Sequence, residues 1–209
     1  MSDLTAAIDK VIKGRSREWE KTLTAIWVTL IDDFGKEIAQ DLGVSKSNAP
    51  SDTKWRFDPM SAAARSWMSK HGAEAIKTII ETNLDDVRKV ILAGESEGLT
   101  MTEIGKSIKQ FYSDRSSYKA MRVARTEVSA AAGFGQREAA KQSGVVEEKM
   151  WISSRDDRVR DSHNKIDGET MPLDEPYSNG LMYPGDPSGD PSESIQCRCV
   201  EKFLTSKGH

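Results

Sequence analysis

Five of the seven prolines in this chain fall between Pro172 and Pro191. A proline ring removes a backbone donor and clashes with the preceding helical turn, so long helices are confined to the sequence before that stretch. Charge breaks at the same place. Residues 1–144 carry a net charge of +2, and residues 145–209 carry −5. The chemistry therefore changes near Gly144, from helix-forming to loop-and-strand.

The first part reads as helices. Trp19, Leu23, Ile26, Trp27, Leu30, Ile31, Phe34, Ile38 and Leu42 recur at steps of three and four, which lines them along one stripe. Gly43 is a plausible stop, and Val44 to Asp58 has the composition of a linker. A second helical stretch follows Pro59, with a break expected near Gly72 and an end at Gly94 and Gly98. Thr100 precedes Glu103 by three residues, so each side chain can cap the other's backbone amide at a helix start. A short helix to Phe111 is expected there. The longest helix should run from about Ser116 to Gln142 and close at Gly144.

Beyond Gly144 the period drops toward two. Lys149 to Ser153 suits one strand, and Ile195 to Phe203 suits another that points Cys197 and Cys199 to one face. Turn residues fill Asp167 to Ser194, including Tyr183-Pro184-Gly185-Asp186-Pro187. There a glycine supplies a positive φ and the aspartate closes an Asx turn. The expected fold class is α+β: a helical N-terminal region, then a small mixed domain with a long helix, a short β-sheet and long ordered loops. Its segments are an amphipathic helix at 1–50, a helical region at 51–114 and an α+β motif domain at 115–209.

Several function classes are excluded at this level. A net charge of −3 argues against a globally basic nucleic-acid coat. The apolar runs are too short for a bilayer, so no membrane partner is expected. Two cysteines in 209 residues cannot build a disulfide framework and fit a reducing compartment. Neither a phosphate loop nor a Cys-x-x-Cys pair is found, so no catalytic residue and no cofactor are expected.

The residues that stand out fall into four groups. Lys119, Arg122, Arg137 and Lys141 form a basic helix face able to meet DNA phosphates, though a solvated face is the plainer reading. Arg125 and Glu127, two apart on a helix, cannot face one partner. Together with Asp157, Arg160 and His163 they read as structural clamps for loop groups. His163 with Cys197 and Cys199 can also be read as a metal site with Asp157 as fourth ligand. The one-residue gap between the cysteines is poor zinc spacing, so a His–carboxylate pair and loop-fixing thiols are preferred. Trp19, Ile26, Trp27, Leu30, Phe34 and Ile38 form a stripe that must pack inside the chain or on a partner, and two tryptophans favour an interface.

No single motif identifies a function, but their order does. Ala124-Arg125-Thr126-Glu127 on a long helix is followed by Ser143-Gly144-Val145 and by Lys149-Met150-Trp151. Then come Asp157-Arg158-Val159-Arg160 with His163 and Gly168, Pro172-Leu173, Pro184-Gly185-Asp186-Pro187 and Cys197-Arg198-Cys199. This series resembles the phage Mu F-like family of minor head, or head-morphogenesis, proteins. The resemblance covers roughly residues 84 to 203 and is strongest from Arg115 to Val200.

It implies a structural virion component in the head interior near the portal, made in host cytoplasm and present in few copies. The partners it implies are the phage portal protein, capsid or scaffolding protein, with packaged double-stranded DNA as a further, non-specific one. Self-association into a homo-oligomer stays open. Some family members are thought to assist DNA packaging or ejection, and others are fused to portal or toxin domains. Because the chain stops at His209, neither fusion is expected here. The competing class is a metal-dependent or nuclease-like enzyme built on Glu127, His163, Cys197 and Cys199.

Overall fold

The computed structural model describes residues 16–42 and 56–205. Among the described residues three long helices come first: α1 (Ser16–Asp41), α2 (Ala62–Ser96) and α3 (Met101–Ser143). Then follow β1 (Val146–Ile152), a short helix α4 (Asp161–Lys165), β2 (Thr170–Pro172), a helical turn α5 (Pro191–Ser194) and β3 (Val200–Thr205). The fold is α+β, and the chain groups into two compact units. One comprises residues 1–24 with 69–123, and the other 25–68 with 124–209. The linker expected from Val44 lies largely outside the described residues, as does the side chain of Trp19.

Two helix boundaries differ from expectation. α2 passes through Gly72 without a break, and α3 is continuous from Met101 to Ser143 instead of restarting at Ser116. One glycine inside a helix costs only about 1 kcal/mol, and the serine-rich stretch near 113–117 holds neither glycine nor proline. The capping residues behave as their spacing predicts. The Thr100 amide donates to Glu103 Oε2 at 2.7 Å, and the Glu103 amide returns a 3.4 Å bond to Thr100 Oγ1. Within this first unit Lys119 forms an ion pair with Asp86.

The second unit is built where α1 meets the end of α3. Trp27 and Ile31 are fully buried, along with Ala130, Ala131, Ala139 and Ala140, and Phe134 is nearly so. Gly135 explains how the two helices approach so closely. A Cβ there would stand 2.8 Å from the Ile31 carbonyl oxygen, inside any real contact. Aromatic rings extend this core. Trp67 stacks on Phe134 at 4.8 Å and meets Trp27 edge-on at 5.9 Å.

The sheet is antiparallel, in the order β2-β1-β3. A bulge in β1 between Val146 and Glu148 resets its phase, so Val146, Lys149 and Trp151 all face inward. Trp151 lies opposite Glu201 and Lys149 opposite Phe203. Trp151 then packs with Ile166, Tyr177, Leu181, Cys197 and Cys199 into one buried cluster. The strand expected from Ile195 starts only at Val200, because α5 and a left-handed Gln196 (φ 57°) interrupt the extended chain.

Candidate functional site

The motif residues of α3 dock the segment that carries the cysteines. Thr126 Oγ1 accepts from the Gln196 amide at 3.2 Å, and Ser129 Oγ donates to the Cys197 carbonyl at 2.8 Å. Arg160 donates to the Ile195 carbonyl from the other side. The loop 195–197 is thus hydrogen-bonded along its backbone, as buried main chain must be. These bonds explain the left-handed Gln196.

This docking delivers two thiols to one imidazole. His163, on α4, is 1% exposed, and Cys197 and Cys199 are 2% and 8% exposed. His163 Nδ1 lies 3.7 Å from Cys197 Sγ and 3.5 Å from Cys199 Sγ. The three ligand atoms all fall within 4.8 Å of one another, a donor set that could hold a metal ion. On the far side of the ring, Glu193 Oε2 stands 2.8 Å from Nε2, close enough for an ion pair. Glu193 is itself held by the Ser162 hydroxyl at 2.8 Å. Trp151 closes the site edge-on, with ring centroids 5.0 Å apart. Hydrogen bonding from Cys197, assisted by His163, pulls the Cys199 thiol down to about 5.

A second buried polar network lies deeper. The Lys149 side chain is wholly buried, its ammonium donates to the Met182 carbonyl, and Glu201 Oε1 stands 3.9 Å away. The Tyr177 hydroxyl donates to the same Glu201 oxygen at 3.0 Å. Burial drives the Lys149 ammonium down to about 8 against the opposing pull of Glu201. Burial likewise raises Glu201 to about 7. Asp186 fixes the neighbouring loop. It accepts from the Met182 amide at 2.9 Å, and from the Ser188 amide and hydroxyl at 2.9 and 2.7 Å. Gly185 takes φ +80°, the positive value expected of it.

The clamp residues divide. Glu127 is buried and accepts from Trp27 Nε1, and Arg160 and His163 are engaged as described. Arg125 is exposed on α3, so the buried clamp expected of it is corrected, and Thr126 and Ser129 hold the loop instead. Asp157 is also exposed. The acid that pairs is Asp156, which takes both guanidinium nitrogens of Arg198 and also the Arg158 amide. Asp157 is therefore no fourth ligand.

The basic residues have acidic neighbours. Lys119 pairs with Asp86, Lys141 pairs with Asp174 at 2.5 Å, and Arg137 reaches both Asp174 and the Leu173 carbonyl. Arg122 is half-buried. Acidic partners thus stand beside three of the four basic residues, whose plainer reading was a solvated face.

The interface stripe is corrected in part. Trp27 is core, Leu30, Phe34 and Ile38 are half-buried, and Ile26 is exposed. Sequence reasoning missed Glu193, Lys149, Tyr177 and Glu201. A lysine between Glu148 and Met150-Trp151, on the inward phase of a strand, is the one signal that could have flagged the second network.

The family model described as "Phage Mu protein F like protein" matches residues 85–201. Among curated proteins, the chain is 27% identical over 203 residues to the NAD(+)–arginine ADP-ribosyltransferase EFV of Enterococcus faecalis (strain ATCC 700802 / V583). That match covers 92% of this chain and 38% of the relative. It is 29% identical over 155 residues to the uncharacterized protein YqbB of Bacillus subtilis (strain 168), covering 69% of this chain and 49% of the relative. The chain thus spans less than half the length of either relative. No solved structure matches it.

Proposed function

We propose, from the fact that the chain belongs to the phage Mu protein F-like family of head-morphogenesis proteins, that it is a minor structural protein of a phage head, bound beside the portal. The observation that carries this reading is the family match over residues 85–201, which contains α3, β1, β2 and the docked cysteine segment and ends two residues into β3. Assistance to DNA packaging or ejection is part of the same proposal. It rests on position in the particle and not on a DNA-binding face, since Lys119, Arg137 and Lys141 are paired internally. The reading is non-enzymatic. The burial of His163, Cys197 and Cys199 supports it.

Crosslinking in assembled heads tests the proposal. Crosslinks from this chain to the portal protein are expected. Heads that assemble at normal yield without the chain, or crosslinks confined to the tail, would overturn it. A second reading comes from the relative named as an arginine ADP-ribosyltransferase, of which 38% is matched. Transfer of ADP-ribose from labelled NAD to an arginine-bearing acceptor would support that reading against the structural one.

A further inference from the structure

We propose that His163, Cys197 and Cys199 bind a zinc ion that fastens the Cys-Arg-Cys segment to α4. Tetrahedral zinc, with bonds of about 2.3 Å to sulfur and about 2.05 Å to nitrogen, sets each N···S edge near ~3.6 Å. The observed edges from Nδ1 are 3.5 and 3.7 Å. A ring nitrogen offers one proton or one lone pair in the ring plane, so it cannot hydrogen-bond two sulfurs well at once. A cation between the three atoms satisfies all of them together.

The far side of the ring gives independent support. A metal-bound histidine characteristically directs its other nitrogen to a carboxylate, which fixes the tautomer and strengthens the ligand. Glu193 Oε2 stands on that side, 2.8 Å from Nε2, within ion-pair reach though off the line of a hydrogen bond, and Ser162 holds it. The order Ser162–Glu193–His163 followed by two thiols is therefore built outward from the nitrogen that faces the sulfurs.

The donor set selects the ion. Two sulfurs and an imidazole favour zinc over magnesium or calcium, which take oxygen ligands. Each thiol gives its proton to solvent as it binds. Three protein ligands leave one tetrahedral position for water. The role is structural: the loops from Ser153 to Ser194 hold few large apolar residues, and a metal clip supplies the order a small core cannot.

The test uses the full, untagged chain, expressed with zinc in the medium and purified under reducing conditions without chelator. One zinc per chain is expected by elemental analysis, and trace zinc would overturn the proposal. Removing the metal with a chelator should lower Tm, and adding zinc alone should restore it. An unchanged Tm in both steps would also overturn it. Cobalt in place of zinc should give a thiolate-to-metal absorption band that disappears in Cys197→Ser with Cys199→Ser. Should that double variant fail to fold, Glu193→Gln keeps all three ligands and should weaken zinc binding roughly 10–100-fold in competition with a chelating dye. Unaltered affinity in Glu193→Gln would refute the ordering of the site argued above.

Discussion

The indole nitrogen of Trp27 donates to Glu127 Oε2 at 2.9 Å, joining buried groups one hundred positions apart in the chain. Trp27 is fully buried beneath the Trp67 and Phe134 rings, and Glu127 is buried on α3. The bond ties the amphipathic helix to the motif helix within one core. Trp27→Phe keeps most of the ring volume but takes one donor from a buried carboxylate, which should cost about 2 kcal/mol. Glu127→Gln retains an acceptor and should cost less. Urea unfolding of both variants measures this, and equal stability to wild type would refute the tie.

Deleting residues 1–50 removes Trp27 and Ile31 from the core of the second unit. Losing two large, fully buried side chains, each worth about 3 kcal/mol or more on truncation, exceeds what a marginal domain can absorb. The truncated chain should lack a cooperative thermal transition by calorimetry. A sharp transition near the wild-type Tm would show that the helix is dispensable for folding.

Arg125→Ala should be nearly silent, within about 0.5 kcal/mol, because the side chain is exposed. Arg160→Ala should cost about 2 kcal/mol, since it removes a charged donor from the Ile195 carbonyl beside the cysteines. Chemical denaturation of the two variants side by side gives the comparison. Reversed magnitudes would mean that Arg125, and not Arg160, is the arginine that holds the loop.

Lys149 makes stability depend on alkaline pH. Its folded-state pKa is depressed from 10.5 to about 8, chiefly by burial. Between those values the unfolded chain holds a proton that the folded chain has released, so stability rises with pH. Below pH 8 both states are protonated and the full cost of the buried charge remains. The rise across the window is on the order of 3 kcal/mol. Replacing Lys149→Met together with Glu201→Gln should remove it, as read from urea midpoints at pH 8 and pH 10.

Affinity for double-stranded DNA should be weak, and Lys141→Gln should leave it unchanged, because Lys141 already pairs with Asp174. Lys119→Gln should lower stability by breaking the Asp86 pair and not alter DNA binding. Fluorescence anisotropy at two salt concentrations checks both. A steep salt dependence that either variant flattens would restore a phosphate-facing role.

Local chemistry by itself determined the order of elements and their stops. Thr100 and Glu103 cap α3 as their spacing requires, Gly98 and Gly144 take positive φ at the helix ends, and Gly185 turns the proline-rich loop. These are interactions between near neighbours, which a short window of sequence contains. The motif series from Ala124 to Cys199 likewise marked the family. Only the tertiary structure decided which charges are paired and which side chains are core. Arg125 and Thr126 are adjacent in sequence, yet one faces solvent and the other holds the Gln196 amide. Lys149 and Glu201 meet because β1 and β3 align, and Glu193 reaches His163 because α5 returns over α4. Burial and long-range pairing depend on surfaces supplied by distant segments, and a residue's own neighbours carry no record of them.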